Sequence, residues 1–243
     1  MTKTPQIARV GLRGVLVTFG DSLTDEANRA AVAFRAKVEA EEWPEVQETV
    51  STLVSTFLAV DLVSVAYDEI AMRIEALLDR WDWGMATSDA GRKLWTIPMC
   101  FDPDVAPQIE DAAQAAGLTM KAAQAEFAAV RTRVITLGFA PGQPYLGLLP
   151  DTWDIPRQSN LTPKVPVGAL VIAIRQFVLF ATSAPTGWRH VGQTAFRPFD
   201  PTRDAPIAFS PGDMVRFAPI TVAELTALEG QDSLGGAEWT VLQ

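Results

Sequence analysis

The chain has 243 residues, a formal net charge of −9 and 48% hydrophobic residues, a composition typical of a globular protein and not of a disordered one. The negative charge, with no dense cluster of Lys and Arg, argues against nucleic acid as a partner. No apolar run reaches the roughly 20 residues of a membrane span, the first residues lack a signal-peptide core, and the single cysteine cannot form an intramolecular disulfide. We therefore expect a cytoplasmic protein without a membrane partner.

The N-terminal part of the chain predicts a small α+β domain over residues 1–84. A helix from about Thr24 to Glu41 has Thr24 as a plausible N-cap and apolar residues at helical spacing. The other predicted elements are strands at Val15 to Phe19, Val46 to Leu53 and Thr56 to Val60, and an amphipathic helix at Tyr67 to Trp81. This order predicts two layers, with the helices on one face of an antiparallel sheet.

A short polar segment, residues 85–91, is expected to link this domain to a second one over residues 92–243. The second domain begins with a predicted strand and two helices, Leu94 to Cys100, Val105 to Ala115 and Thr119 to Val130. From Val134 onward the pattern predicts only strands, at Val165 to Ile174, Phe177 to Phe180, Trp188 to Gln193, Phe196 to Phe199 and Met214 to Phe217. Short strands between proline and glycine corners are typical of a barrel or a sandwich.

The most distinctive stretch of the sequence runs from Gly138 to Gly147. It holds two prolines, three glycines and two aromatic residues directly after a β-branched run. Such a sequence predicts a rigid loop with special backbone angles. Two interpretations are open: the loop is a structural corner of the β domain, or it contacts a ligand.

Few residues are suited to catalysis. His190 is the only histidine, which excludes a histidine-rich metal site, and it is either a general base or a structural strand residue. No Walker loop and no Gly-x-Gly-x-x-Gly motif occurs, so the sequence shows no recognisable nucleotide site. Asp213 is expected to shape a turn and Cys100 to pack in the core. We therefore assign no catalytic residue and no metal ligand.

Polar and aromatic side chains recur around the predicted corners of the β domain. They are Tyr145, Arg157, Lys164, Gln176, Trp188 and Gln193. The guanidinium of Arg157 is suited to fork-like recognition of a carboxylate or phosphate, although Arg157 and Lys164 are equally compatible with solvated loop charges. A further apolar group either packs in the core or forms a partner surface: Phe177, Leu179, Phe180 and Phe196.

The C-terminal half carries six motifs in a fixed order. They are Gly138-Phe139-x-Pro141-Gly142-x-Pro144-Tyr145-Leu146-Gly147, Pro156-Arg157, Val165-Pro166-x-Gly168, Pro185-x-Gly187-Trp188-x-x-Val191-Gly192-x-Thr194, Phe199-Asp200-Pro201 and Pro211-Gly212-Asp213-x-Val215-Arg216-Phe217-x-Pro219-Ile220. In these motifs the chain resembles the allophanate hydrolase subunit 1 family. That family includes the B subunit of 5-oxoprolinase, the kinase-inhibitor proteins of spore formers and part of the carboxyltransferase domain of urea carboxylase.

The resemblance implies a small N-terminal two-layer α+β domain followed by a cyclophilin-like, mainly-β barrel. It also implies a homologous second subunit, similar to allophanate hydrolase subunit 2, and a heteromeric complex that acts on an amide, lactam or urea-like substrate. The reaction would be ATP-dependent hydrolysis or carboxyl transfer from carboxybiotin, with ATP or carboxybiotin supplied through partner subunits. The residues expected to bind the substrate are Phe139, Pro141, Gly142, Gln143, Tyr145, Arg157, Lys164, Gln176, Trp188 and Gln193.

The chain also departs from the family pattern. Gln143 stands where members carry phenylalanine, Ile174-Arg175 replaces a Gly-Gly pair, and Gln193 replaces an arginine. Since glycines that admit a ligand to backbone amides give way to side chains, we expect the fold to be kept and the site to be remodelled. The remodelling suits a different substrate or, as the kinase-inhibitor members suggest, a non-catalytic regulatory or scaffold protein.

Overall fold

The computed structural model describes residues 4–83, 89 and 91–243, and the chain divides into two compact units, Met1–Ser88 and Asp89–Gln243. Of the linker expected at residues 85–91, positions 85–88 and 90 lie outside the described residues. The first unit has one sheet and the second has two, and each unit has its own hydrophobic core. The protein is therefore a mixed α/β protein with several sheets.

The first unit combines a four-stranded antiparallel sheet with two helices. Its elements are β1 (Gln6–Val10), β2 (Gly14–Thr18), α1 (Asp25–Ala40), β3 (Val46–Ser51), β4 (Ser55–Val60) and α2 (Tyr67–Leu78), with the strand order β1-β2-β4-β3. The elements predicted in this unit are confirmed to within a few residues at each end. The strand β1 has no predicted counterpart, because four of its five residues are exposed and no apolar alternation marks it.

The helix α1 begins where its sequence predicts. The Thr24 hydroxyl accepts a hydrogen bond from the Ala27 N–H at 3.1 Å, which satisfies one of the amides that a helix leaves free in its first turn. Phe34 of α1 is fully buried in a core that also holds Leu58 of β4 and Ile74 of α2. The unit is thus stabilised by the amphipathic faces of its two helices against the sheet.

The end of α1 gives a test of local stability. Glu42 follows the C-cap residue and has a φ of 49°, the left-handed conformation at which glycine ends many helices. Because glycine has no Cβ to clash at this angle, we expect Glu42→Gly to raise the free energy of unfolding by about 1 kcal/mol. The same change at Glu75, inside α2, should lower it by about 1 kcal/mol. Urea denaturation measures both, and a destabilised Glu42→Gly variant would contradict the expectation.

The second unit is richer in strands. Its elements are β5 (Lys93–Met99), α3 (Ile109–Ala115), α4 (Met120–Ala129), β6 (Arg131–Leu137), β7 (Pro144–Gly147), a 3-10 turn (Asp151–Trp153), β8 (Thr162–Val165), β9 (Ala169–Ala173), β10 (Gln176–Leu179), β11 (Ala184–Thr186), β12 (Arg189–Gln193), β13 (Met214–Pro219), α5 (Val222–Leu228) and β14 (Glu238–Val241). Eight strands form one sheet in the order β12-β9-β10-β7-β6-β13-β5-β14, while β8 and β11 form a separate pair. The sheet is mixed, since β13 and β5 are parallel and the other paired strands are antiparallel.

Two reciprocal backbone hydrogen bonds connect distant strands of the large sheet. The Cys100 N–H donates to the Gln193 carbonyl oxygen at 2.8 Å, and the Gln193 N–H donates to the Cys100 carbonyl oxygen at 2.9 Å. Cys100 directly follows β5, and Gln193 ends β12. The end of β5 is therefore paired with the edge strand β12.

Two helical details of the second unit differ from the sequence-based expectation. The helix α3 begins at Ile109 and not at Val105, because Pro107 disfavours helical backbone angles at the residue before it. The region from Val134 onward is not all β, since α5 is helical. The expected strand and helices otherwise lie at β5, α3 and α4.

The strand expected at Phe196 to Phe199 is not formed in the described chain. Phe199 makes an isolated bridge with Ile207, and Pro198 has no amide hydrogen to donate to a ladder. Phe196 is instead buried in the core of the unit, with its ring centroid 5.6 Å from that of Trp95. The segment therefore contributes Phe196 to the core without joining the large sheet.

The four apolar residues near the end of the sheet belong to the interior. Phe177, Leu179 and Phe196 are fully buried in the main core, and Phe180 is buried in a smaller cluster with Trp188. Their interpretation as a partner surface is therefore wrong, and the interpretation as core residues is confirmed.

Candidate functional site

A cavity of about 370 Å³ lies in the second unit beside the loop that joins β6 to β7. Its wall is formed by that loop, by β7, β10 and β11, by the segment before β8 and by the turn before β12. The lining residues are Phe139, Gln143, Tyr145, Arg157, Gln158, Leu161, Val178, Phe180, Pro185, Thr186, Gly187 and Trp188. We refer to this space as the β-domain cavity.

The loop between β6 and β7 folds back on itself through its own backbone. The Gly138 N–H donates to the Gln143 carbonyl oxygen at 3.1 Å, and the Gln143 N–H donates to the Ala140 carbonyl oxygen at 3.1 Å. Phe139 and Gly142 have φ values of 70° and 66°, which is the left-handed region that the glycine and proline content predicts. This shape leaves the Phe139 side chain 74% exposed at the rim of the cavity, while Gln143 is only 1% exposed at its floor.

One wall of the cavity is aromatic and carries a cation. The rings of Tyr145 and Trp188 meet edge to face with centroids 6.2 Å apart, and the Arg157 guanidinium lies 5.5 Å from the Trp188 ring centroid. Burial raises the pKa of the Tyr145 hydroxyl, and the nearby charge of Arg157 opposes that shift. The hydroxyl is therefore neutral near pH 7 and can donate a hydrogen bond.

Two glutamines fix the segment that carries Arg157. The Gln158 backbone N–H donates to the Gly187 carbonyl oxygen at 2.7 Å, and its side-chain amide donates to the Trp188 carbonyl oxygen at 3.1 Å. The Gln108 amide donates to the Gln158 side-chain oxygen at 2.8 Å and accepts from the His190 backbone N–H at 2.7 Å. This network was missed by the sequence analysis, because two glutamines 50 residues apart leave no pattern in the sequence.

A buried arginine holds the residue before Arg157. The Arg189 guanidinium donates to the Asp111 carboxylate and to the Pro156 carbonyl oxygen, each at 2.6 Å. Its side chain is 11% exposed, whereas that of Asp111 is 58% exposed. Arg189 thus connects α3 to the segment that lines the cavity, although it is not a lining residue itself.

Removal of Asp111 tests this connection. Asp111→Ala leaves the buried Arg189 guanidinium without its counter-charge, so we expect the free energy of unfolding to fall by about 1–3 kcal/mol. Glu110→Ala is the matched control, since no hydrogen bond or ion pair of Glu110 is found within the described ranges, and its effect should stay within about 0.5 kcal/mol. Thermal denaturation measures both variants. Equal losses would show that the ion pair does not stabilise this part of the unit.

The structure brings five of the ten expected substrate-binding residues together. Phe139, Gln143, Tyr145, Arg157 and Trp188 all line the β-domain cavity. The other five lie elsewhere. Pro141 and Gly142 belong to the same loop without lining the cavity, Lys164 is exposed on β8, Gln176 is buried opposite Gly147 at the start of β10, and Gln193 lines a separate cavity of about 430 Å³.

The turn that replaces the Gly-Gly pair is bonded within the protein. Ile174 and Arg175 have φ values of 43° and 60° in the tight turn between β9 and β10. The Ile174 N–H donates to the Ile155 carbonyl oxygen at 2.8 Å, and the Arg175 N–H donates to the Trp153 carbonyl oxygen at 3.0 Å. Both amides therefore hold the 3-10 turn and the segment after it.

The remaining residues considered for chemistry have structural surroundings. His190 is buried with its Nε2 atom 2.9 Å from the Gly192 carbonyl oxygen, and burial lowers its pKa. Cys100 is buried, which raises the pKa of its thiol. The Asp213 carboxylate accepts from the Ser210 and Lys93 backbone N–H groups at 2.9 and 3.1 Å, as expected of a residue that shapes a turn. None of the three lines the β-domain cavity.

The lining of the β-domain cavity is rich in donors and, among the described residues, holds a single charge, that of Arg157. Such a surface attracts oxygen acceptors and anions and repels cations. These lining residues include no histidine, cysteine or carboxylate that could act as a base or a nucleophile.

In the part of the chain that the structure describes, no group of three or more His, Cys, Asp or Glu could hold a metal ion. A search of the same residues finds no helix with the length and apolar character needed to cross a membrane.

A larger cavity lies in the first unit. Its volume is about 530 Å³, and aromatic and acidic side chains line it, among them Phe19, Trp81, Asp82 and Trp83. None of the expected substrate-binding residues lies there. The sequence motifs and the geometry therefore favour the β-domain cavity as the candidate functional site.

Fold and cavity together define a mixed α/β protein with a donor-lined cavity in its second unit. Residues 5–209 match the family described as carboxyltransferase domain, subdomain C and D, and the chain belongs to this family.

Two relatives carry the same name, that of the B subunit of 5-oxoprolinase. The chain is 25% identical to the protein of that name from Bacillus subtilis (strain 168) over 247 residues, which is 96% of this chain and 100% of the relative. It is 36% identical to the protein of that name from Escherichia coli O157:H7 over 146 residues, which is 60% of this chain and 66% of the relative. The family expected from the sequence motifs is thereby confirmed.

Solved structures are similar over nearly the whole chain. The crystal structure of TTHA0988 has a TM-score of 0.72 and 28% identity, and the similar region covers 86% of this chain and 40% of that one. The conserved uncharacterized protein PH0987 from Pyrococcus horikoshii has a TM-score of 0.53 and 29% identity over 90% of this chain and 100% of its own. Kluyveromyces lactis urea carboxylase has a TM-score of 0.73 over 98% of this chain and 24% of its own, and at 17% identity it shows the fold alone.

Proposed function

We propose that this chain is one subunit of a multi-subunit, ATP-dependent enzyme and that the β-domain cavity binds a small amide, lactam or urea-like substrate. The observation that carries the proposal is the composition of the cavity. The rings of Tyr145 and Trp188 can contact the faces of a flat molecule, while Gln143, Arg157 and Thr186 can donate hydrogen bonds to its oxygen atoms. The two relatives, each named as the B subunit of 5-oxoprolinase, support 5-oxoproline, a lactam, as the first substrate to test.

We propose that a homologous second subunit, similar to allophanate hydrolase subunit 2, completes the site. Phe139 and Leu161 are 74% and 66% exposed at the rim of the cavity, and exposed apolar side chains around a pocket are typical of a protein contact. The described lining of the cavity also includes no histidine, cysteine or carboxylate, so we expect the group that attacks or activates the carbonyl carbon to come from the partner.

The cavity does not fit a nucleotide. A triphosphate requires several cationic side chains or a cradle of backbone amides, and the only charged residue in the described lining is Arg157. We therefore propose that ATP binds to a partner subunit, and that carboxybiotin, the alternative co-substrate, is also supplied through one.

We also propose that the large sheet forms the cyclophilin-like barrel that the sequence motifs imply, closed where Cys100 pairs with Gln193.

Reconstitution tests the proposed function. The chain is co-expressed with the homologous second subunit, and ATP consumption is measured with 5-oxoproline, 2-pyrrolidone and urea, alongside a carboxyl-transfer assay with biotin carboxylase and its carrier. We expect turnover of at least one compound by the complex and none by either subunit alone. A complex that is inactive on the whole panel, combined with a changed autophosphorylation of a partner kinase, would favour the regulatory alternative and contradict the proposal.

A further inference from the structure

We propose that Gln143 selects the ligand of the β-domain cavity and fixes its orientation. Its side-chain amide donates a hydrogen bond to an uncharged carbonyl oxygen at the floor of the cavity, while a charged group of the ligand stays at the rim beside Arg157. The inference rests on the proposed function, because it assumes that a small carbonyl compound occupies this cavity.

The environment of Gln143 sets the direction of its amide group. The side-chain oxygen of Gln143 accepts a hydrogen bond from the Ala181 backbone N–H at 3.3 Å. Since a backbone N–H can only donate, the oxygen and not the nitrogen of the amide must face Ala181. The orientation of the amide therefore follows from the backbone and leaves the NH2 group on the other side.

The two N–H donors of the Gln143 side-chain amide are open to a ligand. Within residues 4–83, 89 and 91–243, no hydrogen bond from this nitrogen to another residue is found, although Gln143 is 1% exposed and lines the cavity. The nitrogen is accessible from the cavity, where water or a ligand oxygen can accept its hydrogen bonds. A ligand that displaces this water without offering an acceptor would leave the donor unpaired.

The depth of the cavity separates a neutral end from a charged end. Val178 and Phe180 are buried beside Gln143, whereas Arg157 is exposed at the rim. An ionised carboxylate is costly to bury without a counter-charge, and a neutral carbonyl oxygen needs only one donor. A ligand with both groups would therefore place its carbonyl oxygen against Gln143 and its carboxylate near Arg157.

Gln143 makes the floor of the cavity polar, whereas an apolar side chain in its place could not donate such a hydrogen bond. The polar floor is expected to favour ligands with a deep carbonyl oxygen over ligands of equal shape without one, since a buried donor left unpaired penalises the second class.

Two ring compounds of similar size test the inference. 5-Oxoproline carries a carboxylate and a ring carbonyl, and cyclopentanecarboxylate carries the carboxylate without the carbonyl. Both are titrated into the ¹⁵N-labelled full chain, alone and with the second subunit, while the side-chain NH2 signal of Gln143 and the indole N–H signal of Trp188 are followed. Gln143→Glu keeps an oxygen for Ala181 and loses the NH2 donor, Gln143→Met loses both, and Gln114→Glu on the exposed face of α3 is the control.

We expect 5-oxoproline to shift both signals and to bind about 10-fold more weakly to Gln143→Met, with the affinity for cyclopentanecarboxylate unchanged within about 2-fold in that variant. Gln143→Glu should weaken the binding of both compounds, because its carboxylate also repels theirs. Unchanged 5-oxoproline affinity in both variants would overturn the inference and leave the proposed function standing. An equal loss for both compounds in Gln143→Met would overturn the proposed orientation. If neither compound shifts any signal of the cavity in the presence of the second subunit, the proposed function fails and the inference fails with it.

Discussion

Arg157→Ala is expected to lower kcat/KM of the assembled enzyme about 10- to 150-fold, because a hydrogen bond to a charged group contributes about 1.5–3 kcal/mol. The guanidinium is the only charge in the described lining of the β-domain cavity, and it lies over the Trp188 ring, where it can meet a carboxylate at the rim. Arg157→Lys keeps the charge but loses the planar fork, so its loss should be smaller. Steady-state kinetics with 5-oxoproline measure both variants.

The control for Arg157→Ala is Lys121→Ala, which removes the same charge from the exposed surface of α4. Because Arg157 is itself exposed, neither substitution should change the melting temperature by more than about a degree or two. Equal kinetics for Arg157→Ala and the control would show that the arginine is a solvated loop charge, which is the alternative that the sequence left open. A loss confined to Arg157→Ala would exclude that alternative.

Gly168→Ala is expected to destabilise the protein by about 2–5 kcal/mol, or to prevent folding altogether. Gly168 has a φ of 79°, and a Cβ atom at this position would overlap the carbonyl oxygen of Thr194. The backbone cannot move aside, because the Gly168 N–H donates to the Phe180 carbonyl oxygen and its own carbonyl oxygen accepts from the Thr194 N–H. Soluble yield and thermal denaturation measure the effect.

Substitutions of two further glycines distinguish the two causes of that destabilisation, the positive φ and the close approach of another backbone atom. Gly142→Ala has a similar φ of 66°, but its Cβ would lie 3.1 Å from the Pro198 carbonyl oxygen, so it should lose less than Gly168→Ala. Gly138→Ala meets no atom within 4 Å at an ordinary φ and should change stability by less than about 0.5 kcal/mol. Similar losses for all three variants would contradict an effect of close backbone approach.

Local signals in the sequence were sufficient to predict the elements of the first unit other than β1. The helix α1 could be predicted because Thr24 caps it and apolar residues recur every three or four positions, which is a property of neighbouring residues alone. The strand β1 could not be predicted, since its exposed residues show no alternation of apolar and polar side chains.

The helix α5 of the second unit was missed although the sequence holds a signal for it. Thr221 and Glu224 form a capping box, which the pattern Thr-x-x-Glu predicts.

Local signals in the sequence also made part of the candidate site predictable. The loop with Phe139 and Gln143 is marked by its own glycines and prolines, so its residues could be identified from the sequence. Its supports could not, because the bond between Gln108 and Gln158 and the ion pair between Arg189 and Asp111 depend on how distant segments meet. The sequence also grouped Gln193 with the site, whereas the backbone pairing with Cys100 places it in another cavity.

The neighbours of β5 have a consequence for folding during synthesis. Leu94 of β5 pairs with Met214 of β13 and with Thr240 of β14, so both partner strands are made more than a hundred residues later. Until β13 and β14 emerge from the ribosome, β5, which contains Trp95 and Ile97, has neither of its neighbouring strands. The first unit, whose strands pair with near neighbours, can fold at once. The strand β5 therefore stays without its partner strands in the nascent chain until the last part of the second unit has been synthesised.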